Sequence, residues 1–156
     1  MGGLRPEEAL RKVGMMIRGI KVAMLTTSAP DGSLHSRPMA TREAEFDGRL
    51  WFFTRASSTK VDEIRDDAEV NVSYASPEEH RYISLGGRAA LVRDPGRLRE
   101  LWGPSDRMWF PQGLDDPDLA LLRVDVRVAQ YWDMLAGGMV VLPLPSAEPA
   151  GAAVGA

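Results

Sequence analysis

The sequence predicts a mainly β protein, an antiparallel barrel of six strands with short flanking helices. Apolar and β-branched runs of strand length recur along most of the 156 residues. Tight-turn dipeptides, Asp31-Gly32 and Asp47-Gly48, separate the first of these runs. Only brief helical patterns intervene, and closing short antiparallel strands into a barrel removes the edges that an open sheet would expose.

The composition is that of one globular domain, with 44% hydrophobic and 26% charged residues. We predict a single domain over residues 1–143 and a flexible Ala/Gly/Pro-rich tail over residues 144–156. The N-terminal residues lack the apolar core of a signal peptide, and no run is long enough to span a bilayer. The expected location is therefore cytoplasmic, with no membrane partner.

Charge and cysteine content narrow the function classes. A formal net charge of −3 argues against general nucleic-acid binding, which needs clustered cations on one face. The absence of cysteine excludes disulfides, thiolate catalysis and thiolate metal sites. His35 and His80 stand far apart without carboxylates at ligand spacing, so we expect no metal site.

The first half of the chain reads as one helix and three strands. Pro6, followed by two glutamates, opens an amphipathic helix over residues 5–18. Extended runs follow at residues 20–29 and 34–46, joined by the turn at residues 30–32. The aromatic run at residues 49–54 is a third antiparallel strand.

The second half reads as three further strands and two short helices. Ser57 or Ser58 caps a helix that ends near residue 66, and alternating residues 69–75 form a strand. Residues 82–92 form a long strand, in which the glycines at positions 86 and 87 indicate a bulge or sharp bend. Asp94 caps a helix over residues 95–102, and the last strand runs over residues 119–134.

The segment Ser57-Ser58-Thr59-Lys60 is the most informative candidate site. Hydroxyls, an ammonium and backbone N–H groups at the start of a helix together form a compact phosphate cradle. Arg37 would add a bidentate contact if its strand is a neighbour. The alternative interpretation is that the serines only cap the helix and that the two cations are solvated surface charges.

Aromatic residues supply the remaining candidates. Trp51 and Phe52 are expected in the core, whereas Trp109 and Trp132 fall where an aromatic can close a site or a subunit contact, or simply pack. Tyr82 follows His80 and Arg81, but consecutive strand residues point to opposite faces and cannot converge. The chain is thus poor in acid–base groups, which suggests that a cofactor supplies the chemistry.

Four segments stand together in an order typical of one family: Arg37-Pro38-Met39, Trp51-Phe52-Phe53-Thr54, Ser58-Thr59-Lys60 and Tyr131-Trp132-Asp133. The chain resembles the pyridoxamine 5′-phosphate oxidase-like superfamily, especially its general stress protein branch, from about residue 17 to residue 134. The resemblance implies a six-stranded split β-barrel of the FMN-binding type. It also implies a homodimer with FMN at the subunit interface.

The resemblance assigns roles to individual residues. It implies that the cofactor's phosphate is held by Arg37, Ser58 and Lys60, beside Thr59. It implies that the ribityl chain and flavin ring lie along Pro38, Met39, Phe53 and Thr54, with Tyr82 near the ring. Trp132 matches a tryptophan that reaches FMN from the partner subunit, and Trp109 lies in the loop expected to cover the same interface.

The departures from the family bear on activity. The oxidases follow their final tryptophan with an Arg-x-His motif that grips the substrate, whereas residues 134–139 contain neither arginine nor histidine. Arg42 stands where the oxidases place a substrate- and flavin-contacting lysine. Oxidation of pyridoxamine phosphate is therefore not expected.

These observations predict an FMN-dependent oxidoreductase that acts on an unknown small substrate. The alternative is a non-catalytic general stress protein that stores or senses FMN. A third interpretation keeps the fold and exchanges the cofactor for a deazaflavin or haem, for which His80 is the only candidate axial ligand on a strand near the site.

Overall fold

The computed structural model describes residues 4–42, 45–135 and 137–145. Within them, seven strands form one antiparallel sheet in the order β2-β1-β4-β5-β6-β3, with β7 paired to β6. The strands are β1 (Val22–Ser28), β2 (Leu34–Ala40), β3 (Arg49–Arg55), β4 (Glu69–Ser76), β5 (Arg81–Val92), β6 (Leu119–Asp133) and β7 (Gly138–Pro143).

In the described part of the chain, three α-helices flank the sheet: α1 (Pro6–Ile17), α2 (Thr59–Asp66) and α3 (Pro95–Leu101). Helix α1 buries Ala9, Val13 and Met16, which recur at helical spacing and face the sheet. The Asp94 carboxylate caps α3 by accepting from the Gly96 N–H at 3.0 Å. No helix in the described ranges combines the length and apolarity that crossing a bilayer requires.

Strand β6 organises the sheet because it pairs along both edges. Strand β5 follows one edge, while β3 pairs with its first half and β7 with its second half. The β5–β6 register shifts between Gly86 and Gly87. A Cβ at Gly87 would lie 2.2 Å from the Asp125 carbonyl oxygen, so only glycine permits this close approach of the two strands.

Two hydrophobic clusters lie on opposite faces of β3 and β6. Phe52 and Leu122 belong to the main core inside the barrel, whereas Phe53 and Leu121 belong to a smaller cluster beneath α3. This alternation follows from the two-residue period of a strand. Trp51 is half-buried beside the smaller cluster. As a result, β3 can offer Phe53 to a site without disturbing the main core.

The structure confirms the mainly β antiparallel class with flanking helices and corrects three details. The strand over residues 119–134 is not the last, because the short apolar run of β7 pairs with it. Strand β2 ends at Ala40 instead of residue 46, and residues 43 and 44 lie outside the described residues. Strand β3 pairs with β6 and not with β2 in the described ranges, so the turn at Asp47-Gly48 does not form a hairpin between β2 and β3.

The predicted tail begins within the described part of the chain. Leu144 donates its backbone N–H to the Arg127 carbonyl at 2.9 Å and packs against the main core. The sheet contact therefore extends one residue past β7. Residues 146–156, which make up most of the predicted tail, lie outside the described residues.

Candidate functional site

A cavity of about 210 Å³ lies where β2, β3, the start of α2 and the turn after α3 meet. Apolar and aromatic side chains form most of its wall, and cations stand around it. The lining residues are Pro38, Met39, Ala40, Arg42, Phe53, Thr54, Arg55, Ser58, Lys60, Asp106, Trp109 and Phe110. An apolar cavity with a few convergent polar groups is the usual form of a small-molecule site.

Lys60 stands at one end of this cavity with hydroxyl groups as its partners. Its ammonium donates to Thr54 Oγ1 at 3.0 Å and to Ser58 Oγ at 3.2 Å. Burial, and then the positive charge of Arg37, lower the pKa of Lys60. Among the described residues no carboxylate is paired with Lys60, so an anion bound here would offset a charge that the chain leaves uncompensated.

Arg37 is close to this end but turned toward other partners. Its Nη1 donates to Thr27 Oγ1 at 2.7 Å, and its Nη2 donates to Glu63 Oε1 at 3.3 Å. The Arg37 side chain is 22% exposed and that of Glu63 only 6%. Arg37 is thus a partly buried, fixed cation next to the cavity and not one of its lining residues.

A second cation that lines the cavity, Arg42, is fully paired. Arg42 makes a bidentate contact with Asp106, at 2.5 and 2.8 Å, and the two side chains are 15% and 4% exposed. Asp106 also accepts from the Gly103 N–H at 2.8 Å. Arg55 is likewise paired with buried Asp116 at 2.7 Å. The pKa of Asp116 is lowered mainly by the backbone N–H of Asp118 and next by the hydrogen bond from Arg55.

Aromatic rings form part of the cavity wall. The Phe53 ring meets Trp102 edge-on with 5.3 Å between the ring centroids, and Phe110 lies 6.2 Å from Phe53. The Arg42 guanidinium stacks 5.1 Å from the Phe53 centroid. Trp109 remains 52% exposed at the mouth of the cavity. This wall offers a flat ligand a stacking surface.

The cavity brings together seven of the eleven residues predicted from sequence: Pro38, Met39, Phe53, Thr54, Ser58, Lys60 and Trp109. The other four lie elsewhere in this protomer. Arg37 faces Glu63, and Thr59 is exposed at the first position of α2. Tyr82 and Trp132 are 39% and 43% exposed on the sheet, away from the cavity lining.

Tyr82 and Trp132 belong to an apolar surface that we call the outer face. It consists of side chains that point away from the core on β1, β5, β6 and β7: Val22, Met24, Tyr82, Trp132, Met139 and Val141. Each is at least 39% exposed. An apolar group of this kind on one sheet face marks an interaction surface.

The cavity borders this outer face. Two of its lining residues, Pro38 and Ala40 on β2, are the direct cross-strand partners of Met24 and Val22 on β1. Residues directly opposite on paired strands share one face of the sheet. A molecule covering the outer face would therefore also approach the mouth of the cavity.

Sequence reasoning missed three carboxylates that control the cations near the site: Glu63, Asp106 and Asp116. Glu63 stands three residues after Lys60 on α2, a spacing that places the two on neighbouring positions of a helix. That signal was available in the sequence. The pairings of Asp106 and Asp116 join residues 64 and 61 positions apart, and no local pattern indicates them.

A larger, shallower groove of about 650 Å³ lies at the end of α1, between Met15, Lys21 and Arg81. None of the eleven predicted residues lines it. Arg81 fills part of the space by donating to the carbonyl oxygens of Met16 and Arg18 at 3.0 and 2.8 Å. Arg81 thereby satisfies backbone groups left open at the end of the helix. The smaller cavity is thus the better candidate site.

Comparison with solved structures places the fold. A Clostridium acetobutylicum protein related to general stress protein 26, of the pyridoxinephosphate oxidase family, superposes with a TM-score of 0.74 at 19% identity. The match covers 88% of this chain and 95% of that one. A general stress FMN/FAD binding protein from Xanthomonas citri matches with a TM-score of 0.69 and 30% identity, over 81% of this chain and 89% of that one.

Sequence comparison gives the same grouping. Protein bli-3 of Neurospora crassa is 27% identical over 135 residues, which is 80% of this chain. This chain matches 65% of the length of that protein, just under two thirds. A family model described as pyridoxamine 5′-phosphate oxidase like matches residues 8–145. The chain therefore belongs to the pyridoxamine 5′-phosphate oxidase-like family.

Proposed function

We propose that this chain binds FMN in the cavity between β2, β3 and α2, as a homodimer, and serves as a flavin-dependent oxidoreductase for a small substrate. The observation that carries the proposal is the unpaired Lys60 ammonium, held by two hydroxyls at the end of an aromatic-walled cavity. The described FMN/FAD binding of the Xanthomonas citri relative supports the choice of cofactor.

The residues present fit a phosphorylated flavin. Lys60, Ser58 and Arg37 would hold the phosphate, since a dianion offsets the two causes that lower the pKa of Lys60, its burial and then the positive charge of Arg37. The first-turn N–H groups of α2, next to Thr59, lie at the positive end of the helix. Pro38, Met39, Phe53 and Thr54 would line the ribityl chain and ring.

The chemistry would come from the cofactor, because FMN transfers hydride or single electrons when bound. The chain's own part is to bind and orient. Phe53 and Trp109 would limit the access of water to the ring, and the paired Arg42 would hold the aromatic wall in place. No histidine lines the cavity in the described residues, so the proposal assigns no general base.

The outer face supports a dimer. A second copy covering it would bury the exposed Trp132 and Tyr82, and the cavity mouth borders the same surface through Pro38 and Ala40. Trp132 of one protomer would then approach the cofactor of the other, as the family resemblance implies. Sedimentation of the flavin-loaded protein is expected to give a dimer at micromolar concentration. A monomer that retains its flavin would contradict this assembly.

An absorbance spectrum of the purified protein tests the cofactor. We expect the bands of oxidised flavin, and the pigment released by denaturation should be FMN. A Soret band would indicate haem, and the spectrum of a deazaflavin would equally contradict the proposal. A colourless protein that takes up no FMN on reconstitution would contradict it as well.

Catalysis is separated from storage by reducing the bound flavin. Anaerobic mixing with NADH or NADPH, followed by common electron acceptors, should bleach and then restore the flavin bands if the protein is an oxidoreductase. FMN that stays oxidised with every donor would favour the non-catalytic general stress protein. Pyridoxamine phosphate should not reduce it, because Arg42 is already bound to Asp106 and residues 134–139 offer no cation for a second phosphate.

A further inference from the structure

A buried carboxylate lies directly behind the cations of the proposed phosphate site. Glu63 on α2 is 6% exposed at its side chain and receives three hydrogen bonds. Its Oε1 accepts from the Thr27 hydroxyl at 2.6 Å and from Arg37 Nη2 at 3.3 Å. Its Oε2 lies 2.8 Å from His35 Nδ1, which must be the donor because a carboxylate only accepts.

The strand register explains why these groups meet. On β2, His35 and Arg37 are two residues apart and share one face, opposite Thr27 and Leu25 of β1. Both β2 side chains therefore reach toward Glu63 from the same side. The His35 side chain is 50% exposed, so its ring is accessible to solvent while it contacts the buried carboxylate.

Glu63 competes with an incoming phosphate for Arg37. A carboxylate and a phosphate both bind the guanidinium through charge-assisted hydrogen bonds. When a second cation binds Glu63 more strongly, Glu63 holds Arg37 less tightly, and the guanidinium is freer to bind a phosphate. Imidazole is the side chain that gains such a charge between pH 8 and pH 5. The charge on His35 therefore changes how freely Arg37 can meet a phosphate.

We propose that His35 is a positioning residue that acts through Glu63 on Arg37, so that protonation of His35 strengthens binding of the flavin's phosphate. This inference rests on the proposed function. The Thr27 hydroxyl is the main cause of a lowered pKa at Glu63, with His35 and Arg37 contributing. Glu63 thus stays ionised in the range where an imidazole titrates.

Other charged groups also face this cluster. Asp31 in the β1–β2 turn is close enough for the charge of His35 to contribute to lowering its pKa, after hydrogen bonds from Ser33. Lys60 lies one turn before Glu63 on α2, and its pKa is lowered by burial and by Arg37. Asp31 and Glu63 are the anions of this cluster, and Arg37 and Lys60 are its cations.

The test is a fluorescence titration of the apoprotein with FMN and with riboflavin between pH 5.5 and pH 8.5, at fixed ionic strength. The variants are His35→Gln, which stays neutral, and His35→Lys, which stays charged. His80→Gln is the matched control, because His80 is exposed at the β4–β5 turn, away from the cavity lining. The phosphate of FMN itself titrates near pH 6, so wild type and variants are compared at each pH.

The ratio of the His35→Gln dissociation constant to that of wild type should rise about three- to tenfold for FMN from pH 8.5 to pH 5.5. For riboflavin it should stay constant. The dissociation constant of His35→Lys for FMN should equal that of wild type at pH 5.5 and lie below that of wild type at pH 8.5, and His80→Gln should follow wild type at each pH. Identical FMN profiles in wild type and His35→Gln would overturn the inference alone. No preference of wild type for FMN over riboflavin would overturn the proposed function and the inference with it.

Discussion

Two regions of the cavity lining, around Lys60 and around Arg42, hold their cations in opposite ways. Lys60 is half-buried, and in the described part of the chain its ammonium is paired with the neutral hydroxyls of Thr54 and Ser58 and with no carboxylate. Arg42 makes a bidentate pair with Asp106, which is itself 4% exposed. The positive charge of Lys60 is therefore available to a bound anion, whereas the guanidinium of Arg42 already donates to Asp106.

This difference separates binding residues from structural ones better than residue type does. Both side chains are basic and both line the cavity. A buried cation with a carboxylate partner stabilises the local structure and offers an incoming anion little. A buried cation without one is unfavourable until an anion arrives, and the lowered pKa of Lys60 reports that cost. The proposed phosphate position follows from this contrast.

The largest expected effect, a loss of stability, comes from breaking the Arg42–Asp106 pair. Asp106→Ala leaves Arg42 buried without its carboxylate, and we expect the free energy of unfolding to fall by about 3–5 kcal/mol in urea denaturation. Asp62→Ala, which breaks the exposed pair with Arg65, should cost less than about 0.5 kcal/mol. An Asp106→Ala variant as stable as wild type would show that the Arg42 pair is not structural.

The next largest effect is on FMN binding by Lys60, the cation paired only with hydroxyls among the described residues. Lys60→Ala should weaken FMN binding by about 1.5–3 kcal/mol, roughly 10- to 150-fold, and leave riboflavin binding unchanged. Arg37→Ala should weaken FMN binding less than Lys60→Ala, because Arg37 also pairs with Glu63 and does not line the cavity. Lys12→Ala is the control, since Lys12 on α1 lies over the Tyr131 ring, away from the cavity lining. Calorimetric titration checks this, and unchanged FMN affinity in both site variants would restore the view of Lys60 and Arg37 as surface charges.

A smaller effect is expected in the pH dependence of folding. The pKa of Glu63 is lowered from 4.5, chiefly by the Thr27 hydroxyl. A lowered carboxyl pKa contributes stability above its unfolded value, and that contribution is lost as pH falls through the folded value. The stability advantage of wild type over Glu63→Gln should therefore shrink as pH falls from about 5 toward 3. An advantage that persists unchanged at pH 3 would contradict the ionised Glu63.

Much of the fold could be predicted from sequence because it depends on local patterns. The helix start at Pro6, the capping by Asp94 and the bulge at Gly86-Gly87 each follow from a few consecutive residues. Strand pairing could not be predicted in the same way. The turn at Asp47-Gly48 suggested neighbouring strands, yet β3 pairs with β6, whose residues lie about 70 positions further along.

The residues of the candidate site also differ in whether local sequence could predict them. The residues of the cradle, Ser58 and Lys60, were predictable because strand, hydroxyls and helix start follow one another in the chain. The orientation of Arg37 was not, since it depends on Glu63 from an element 26 residues away. The pairing of Asp106 with Arg42 could not be predicted for the same reason, because the two residues are 64 positions apart. Pairing of distant charges is settled by packing, which a single sequence does not display.

We infer above all that Lys60, the cation without a carboxylate partner among the described residues, binds the phosphate of a flavin. The most direct measurement is the affinity of the wild-type apoprotein for FMN and for riboflavin at pH 7.5, two ligands that differ only in that phosphate. We predict that FMN binds at least about tenfold more tightly, the contribution of one charge-assisted hydrogen bond. Equal affinities would contradict the claim.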